Sequence, residues 1–207
     1  NAVLVNSANQ VVAVVPVAAN GAYVFNNVAV GTYSVLTTTA TPALGSAPAV
    51  PVLPAGFIPT GENVNGAIDP TTNSTLINIA VTTASVTGLN FGIERPPTAG
   101  GTNAAPQPNP GGTTNVTVPA AAFTTGSTDP DGTIASYVIT QFPTNATSIT
   151  INGTTYTAAT FPGTGVTIPA AQIGTVSVDP IDGSVLVSIP FAVVDNAGEI
   201  SPNTGNA

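Results

Sequence analysis

The chain has 207 residues, a formal net charge of −8 at pH 7, and no Cys, Met, Trp or His. Its single cation, Arg95, excludes binding to nucleic acid or anionic lipid through clustered Lys and Arg, and the missing Cys and His exclude disulfides, zinc centres and the usual nucleophile–base pairs. A hydrophobic content of 43%, mostly Val, Ala and Ile, with few charges, predicts a folding chain rather than a disordered one.

No apolar run approaches the length of a membrane-spanning helix; the longest, Val11 to Ala19, is broken by Pro16. The sequence starts at Asn1 with no initiator Met, basic n-region or signal peptide, and reads as a mature or excised product. With no lysine, a trypsin-like protease meets only Arg95, which precedes Pro96. That suits an exposed, protease-resistant surface, although compositional drift accounts for it equally well.

In chain order, Ala2–Val5 and Val11–Val17 are β-prone runs separated by the polar turn Asn6–Gln10. Asn20-Gly21 is a hairpin signal. Tyr23 and Phe25 then alternate with Ala22 and Val24, and Asn26-Asn27 breaks the strand. After Gly31, Tyr33 and Val35 share a face. Thr37 to Gly66 is rich in Pro, Ala and Gly; Val50, Val52 and Leu53 suit at most a short edge strand beside Pro51 and Pro54, and Phe57 and Ile58 suit a plug for one end of a core. Asp69-Pro70-Thr71-Thr72-Asn73 reads as a turn, Leu76–Val81 as a strand with Ile77, Ile79 and Val81 inward, and Asn90–Ile93 as a closing strand.

Regular structure is expected to stop at Pro96-Pro97. This predicts one domain over 1–95, a partly extended Pro/Gly-rich linker over 96–113, and a second domain over 114–207. In the second, Thr114–Val118, Ile134–Gln141, Thr147–Ile151, Val166–Pro169 and Gly174–Val178 read as strands. Asp129-Pro130-Asp131-Gly132 and Asn152-Gly153 read as tight turns. Ser184–Val194, with Val185, Val187, Ile189, Phe191 and Val193 alternating, reads as a long central strand. No helix is expected beyond one short turn after Pro169.

The segment Asn20–Val35, through Asn20, Gly21, Tyr23, Phe25, Val28, Gly31, Tyr33 and Val35, resembles the signature of Cna-B-like and SdrD-B-like (carboxypeptidase-regulatory-like) surface-protein domains. The sequences at Asp129, Asp179 and Val193 resemble the Ig-like, cadherin-like repeats of large Bacteroidetes-type surface proteins. The resemblance implies an all-β chain of two tandem Ig-like/Cna-B-like β-sandwich domains, of which the first lacks its usual opening strand. The Lys–Asn isopeptide bond of some Cna-B-like members cannot form in a chain without lysine.

Among chemistries, a carboxylate pair is the only catalytic option left, and nine scattered acids with no D-T-G sequence favour no enzyme. Calcium is the one plausible metal: Asp129, Asp131, Asp195 and Asn196 lie on turns that the cadherin-like resemblance places at one end of the second domain. The plainer alternative is that each acid caps its own turn. Asn73, Asn115, Asn145 and Asn152 head N-x-S/T sequons and are the candidate glycosylation sites.

An incomplete sandwich leaves an edge that a neighbouring copy is able to fill by donor-strand complementation. The expected function is therefore structural: a secreted subunit of an extracellular bacterial surface filament or adhesin stalk, a homopolymer whose partners are head-to-tail copies of itself. The alternative is a glycan- or protein-binding module of a large secreted adhesin or hydrolase, and a fragment cut from a longer repeat array accounts for the missing strand equally well.

Overall fold

In the computed structural model, which describes residues 1–69 and 71–207, the chain divides into two units, Asn1–Glu94 and Arg95–Ala207. Both are β-structures in which every ladder is antiparallel.

The first unit is built from β1 (Ala2–Asn6), β2 (Val11–Val15), β3 (Gly31–Thr37), β4 (Ile58–Val64), β5 (Ala67–Asp69), β6 (Thr75–Val81) and β7 (Leu89–Glu94). One sheet has the order β2-β1-β3-β6 and the other β5-β4-β7. Strand β1 is central and has both faces covered: Ala2, Val3, Leu4 and Val5 are all buried. Val3 and Val5 pack with Val11 and Leu36 into a small cluster. Pairing of Leu4 with Val35 puts those two on the opposite face.

Several expectations need correction here. The alternation assigned to Ile77, Ile79 and Val81 fails because Asn78 adopts φ 57°. Tyr33 pairs Ile79 while Val35 pairs Leu76, so β6 carries one extra residue as a bulge. Leu76 and Ile79 therefore turn inward, and Ile77 is 61% exposed. Tyr23 and Phe25 form no strand. Pro16 follows the end of β2 at Val15, and the Asn20-Gly21 turn brings the chain back only as far as Ala18, whose N–H donates to Ala22 O (2.9 Å). Val50–Leu53 is likewise extended but outside any ladder. Strand β4 arises within the Pro-, Ala- and Gly-rich stretch Thr37–Gly66 and β5 just after it, and neither was expected; Phe57 and Ile58 are half-buried at the start of β4. The turn expected at Asp69–Asn73 lies in part outside the described residues, at Pro70.

The second unit comprises β8 (Val116–Thr117), α1 (Ala120–Thr124), β9 (Ile134–Ile139), β10 (Ala146–Ile151), β11 (Thr154–Tyr156), β12 (Val166–Pro169), a 3-10 turn (Ala170–Thr175), β13 (Ser177–Pro180), β14 (Pro190–Asp195) and β15 (Gly205–Asn206). Its two sheets run β11-β10-β13-β8 and β12-β9-β14-β15. Between them Ile149, Ile151 and Val178 of one sheet meet Tyr137, Ile139, Ile168, Phe191 and Val193 of the other. The Asn152-Gly153 turn forms as expected, with both residues at positive φ.

Helix α1 was not expected. Three alanines after Pro119 are enough for one turn when that turn delivers Phe123, fully buried, to the centre of the core. The long strand expected from Ser184 is shorter: β14 starts at Pro190 and is paired on both sides. Upstream, side-chain amides take the carbonyls a ladder would use, Asn109 Nδ2 donating to Gly183 O (2.9 Å) and Asn145 Nδ2 to Leu186 O (2.8 Å). Residues 96–113 are no free connector. Pro97 and Ala99 are buried, Thr98 pairs with Thr128, and Gly112 N donates to Asp182 Oδ1 (2.8 Å), all within the second unit.

Candidate functional site

The first unit carries an open cleft of about 720 Å³, floored by Leu4, Val35 and Ile79 and walled by residues 21–28 on one side and 81–90 on the other. Bulge and register create it. Pairing of Leu4 with Val35, and of Tyr33 with Ile79, sets apolar side chains on the floor, while β6 and β7 are the edges of their own sheets. The chain between them, residues 82–88, joins no ladder. Among the described residues no charged side chain lines the cleft.

Its walls are paired at their ends, Val81 in β6, Leu89 and Asn90 in β7, and Gly88 O accepting from Asn65 N, but their middle stretches join no ladder. Among the described residues, the amides of 23–30 and of Ser85, Val86 and Thr87 donate no hydrogen bond. Both ribbons have β-prone sequence, and an extended N–H needs either water or an acceptor.

Tyr23 closes the inner end. Its hydroxyl donates to Leu89 O (2.8 Å), and its ring meets Phe25 edge-on at 5.8 Å and Phe91 at 6.4 Å. Burial pushes its phenol up from the ordinary 10.0 to about 12. Burial also raises Tyr137 in the second unit. A folded phenol that ionises later than the unfolded one stabilises the fold fully below pH 10 and loses that contribution between pH 10 and about 12. Spectrophotometric titration is expected to show two late-ionising tyrosines, of which Tyr23→Phe removes one and leaves Tyr137. The same substitution removes one hydrogen bond, at a cost of about 1 kcal/mol.

The acids singled out for calcium are engaged with backbone. Asp195 is buried, and its Oδ1 accepts from the amides of Ala197 (2.8 Å), Gly198 (2.8 Å) and Glu199 (2.9 Å). Asp131 Oδ2 accepts from Arg95 N (2.9 Å), Asp129 Oδ1 from Asp131 N (3.3 Å) and Asn196 Oδ1 from Thr133 N (2.6 Å). Asp129 and Asn196 do approach one another: a Cβ at Gly132 would meet both side chains. Among the described residues no group of three His, Cys, Asp or Glu side chains comes together. With one oxygen of each acid already serving its own turn or a neighbouring amide, the same melting temperature is expected in chelator and in millimolar calcium. Asp195→Ala is expected to lower stability by about 1–2 kcal/mol and Asp195→Asn by less, since asparagine keeps the accepting oxygen.

The sequon asparagines all sit on exposed backbone. Asn115, Asn145 and Asn152 each donate Nδ2, to Thr150 Oγ1, Leu186 O and Thr167 O, whereas Asn73 uses its Oδ1 to accept from Thr75 N.

Sequence reasoning missed the buried acids Glu62, Glu94 and Asp179. Thr71 Oγ1 reaches Glu62 Oε2 (3.5 Å). Thr147, the residue at the bulge of β10, donates to the Asp179 carboxylate and also to its carbonyl (3.1 Å). The only sequence signal for Asp179 was the turn-like DPIDG, which points away from burial. No family model matches the chain, and neither a curated protein nor a solved structure does.

Proposed function

We propose that the chain is a structural subunit of an extracellular bacterial surface filament or adhesin stalk, made of two Ig-like or Cna-B-like sandwich modules and assembled head-to-tail. The observation that carries this reading is the cleft in the first unit, uncharged among the described residues, whose walls hold amides without acceptors at 23–30 and 85–87. A surface of that kind gains from a second polypeptide, which covers the exposed wall residue Val24 (64% exposed) and satisfies the open amides together, the floor itself being buried already. Long stretches without any charge, residues 1–61 foremost, supply contact surface free of carboxylate repulsion in a chain at −8. The resemblance of residues 20–35 to surface-protein domains points the same way.

The size of the cleft lies within the range of small-ligand sites, and Tyr23 and Phe25 offer ring faces, so a glycan-binding module is the second reading. Negative-stain microscopy and light scattering of the purified chain separate the two. Fibres or concentration-dependent growth are expected; a monodisperse monomer that retains glycans on an array would overturn the structural reading.

A further inference from the structure

We infer that the cleft of one copy receives the segment Ala47–Pro54 of a second copy. This rests on the head-to-tail reading above and names the contact that reading requires.

The segment is the counterpart of the cleft in the same unit. Val50 is 78% exposed and Val52 52%, with Leu44 nearby at 70%. Period-two geometry sets Val50 and Val52 on one side. Their carbonyls are held from below, Val50 O by Thr38 Oγ1 (3.4 Å) and Val52 O by Thr39 N (2.7 Å). The segment is thus kept extended with two apolar side chains projecting and nothing of its own chain to cover them.

Pro48, Pro51 and Pro54 fix φ along the segment, so little further backbone entropy is lost when it is seated. Tyr23 and Phe25 line the cleft and offer ring faces against which Val50 and Val52 pack. The cleft walls bring unsatisfied amides, and a seated segment brings free carbonyls at Ala49, Pro51 and Leu53, which alternate with the two already engaged.

Charge selects the same pair of surfaces. Two copies at −8 repel, and Glu62 is the first charged side chain of the sequence. A contact between residues 47–54 and the cleft lining therefore desolvates no ion on either side.

A chain does not fill its own cleft with this segment. No residue from 40 to 54 lines the cleft, and the loop is tied elsewhere: Gly45 N donates to Val11 O (2.8 Å) and Val11 N to Ser46 O (2.9 Å). Donor and acceptor surfaces differ, so the contact is heterologous and repeats from copy to copy.

Two variants of the full chain test this. The chain has no cysteine, so Val52→Cys combined with Thr83→Cys places the only thiols on the segment and on the cleft rim. Mild oxidation is expected to give a reducible ladder of dimers, trimers and higher species, while either single variant stops at dimers. Val50→Asp combined with Val52→Asp is expected to abolish fibres while leaving the circular dichroism and melting temperature of the monomer unchanged, because both side chains are solvent-exposed in the free chain. Fibres that persist in the aspartate variant, or fibres of the cysteine pair that give no ladder or only an internal disulfide, overturn the segment assignment and leave head-to-tail assembly standing. A wild-type chain that stays monomeric and forms no fibres overturns both.

Discussion

Phe191→Ala is expected to destabilise the second unit by about 3–5 kcal/mol, the range for deleting a fully buried aromatic side chain. Phe191 is fully buried on β14, the strand paired on both sides. Its ring centroid lies 5.3 Å from Phe123 and 5.9 Å from Tyr137, and Phe123 and Tyr137 are 6.3 Å apart. The three rings join α1, β9 and β14, so one deletion opens a cavity that none of these elements can close alone. The cavity is hard to collapse because Gly205 already brings backbone against the ring: a Cβ there would lie 2.7 Å from the Phe191 ring. In a unit of this size the loss corresponds to a fall in melting temperature of the order of 10–20 °C. Phe191→Leu refills most of the volume and is expected to lose less than half as much. Urea melts followed by near-ultraviolet circular dichroism measure both. An alanine variant within about 1 kcal/mol of the parent would mean that the aromatic triad is not the centre of this core.

The central strands were legible because their hydrophobic pattern is local. Ala2–Val5, Val11–Val17 and Ile134–Gln141 carry runs of Val and Ile bounded by turn residues, and strands form in all three, the second and third each ending two residues early, at Val15 and Ile139. What was not legible depends on single backbone angles or on contacts distant in sequence. Asn78 is the one residue of TLINIAV that readily takes positive φ, but nothing local says that it does so inside a strand, and that one angle exchanges Ile77 for Leu76 on the inner face. Helix α1 is too short for a 3.6-residue period to show, and only its packing through Phe123 accounts for it. Tyr23 and Phe25 were visible as an alternating aromatic pair but not as a cleft wall, because the group that fixes Tyr23 is the carbonyl of Leu89, 66 residues away. The cleft itself arises where two sheet edges fail to meet, and sequence records edges poorly.

Gly101→Ala is the substitution that tells a packed segment from a connector. Were residues 96–113 a free linker, exchanging glycine for alanine would be neutral or stabilise the chain by about 0.4–1 kcal/mol through the unfolded state. The structure predicts the opposite sign. Gly101 has φ +106°, a region that costs an L-residue about 1–3 kcal/mol. Its missing Cβ is what allows Asn206 to approach: an added Cβ would meet the Asn206 carbonyl oxygen and lie 2.8 Å from its carbon. Neither side is free to yield. Gly101 N donates to Thr125 O (2.7 Å) and Thr102 N to Ala122 O (3.0 Å), which ties the segment to α1. Ala99 and Asn203 exchange two hydrogen bonds, Ala99 N to Asn203 Oδ1 (3.0 Å) and Asn203 Nδ2 to Ala99 O (2.6 Å), which tie it to the approach to β15. Relief of the clash therefore displaces β15 from β14 or the segment from α1, and the expected loss is about 2–4 kcal/mol, with both strain and broken pairing contributing. Gly112→Ala provides the comparison, since its φ is +68° with nothing within 4 Å of the added carbon; it carries backbone strain alone, about 1 kcal/mol. Hydrogen exchange at Phe191 and Ile189 locates the damage, because Ile189 N donates to Ala207 O (3.0 Å) and those amides lose protection only if β15 detaches.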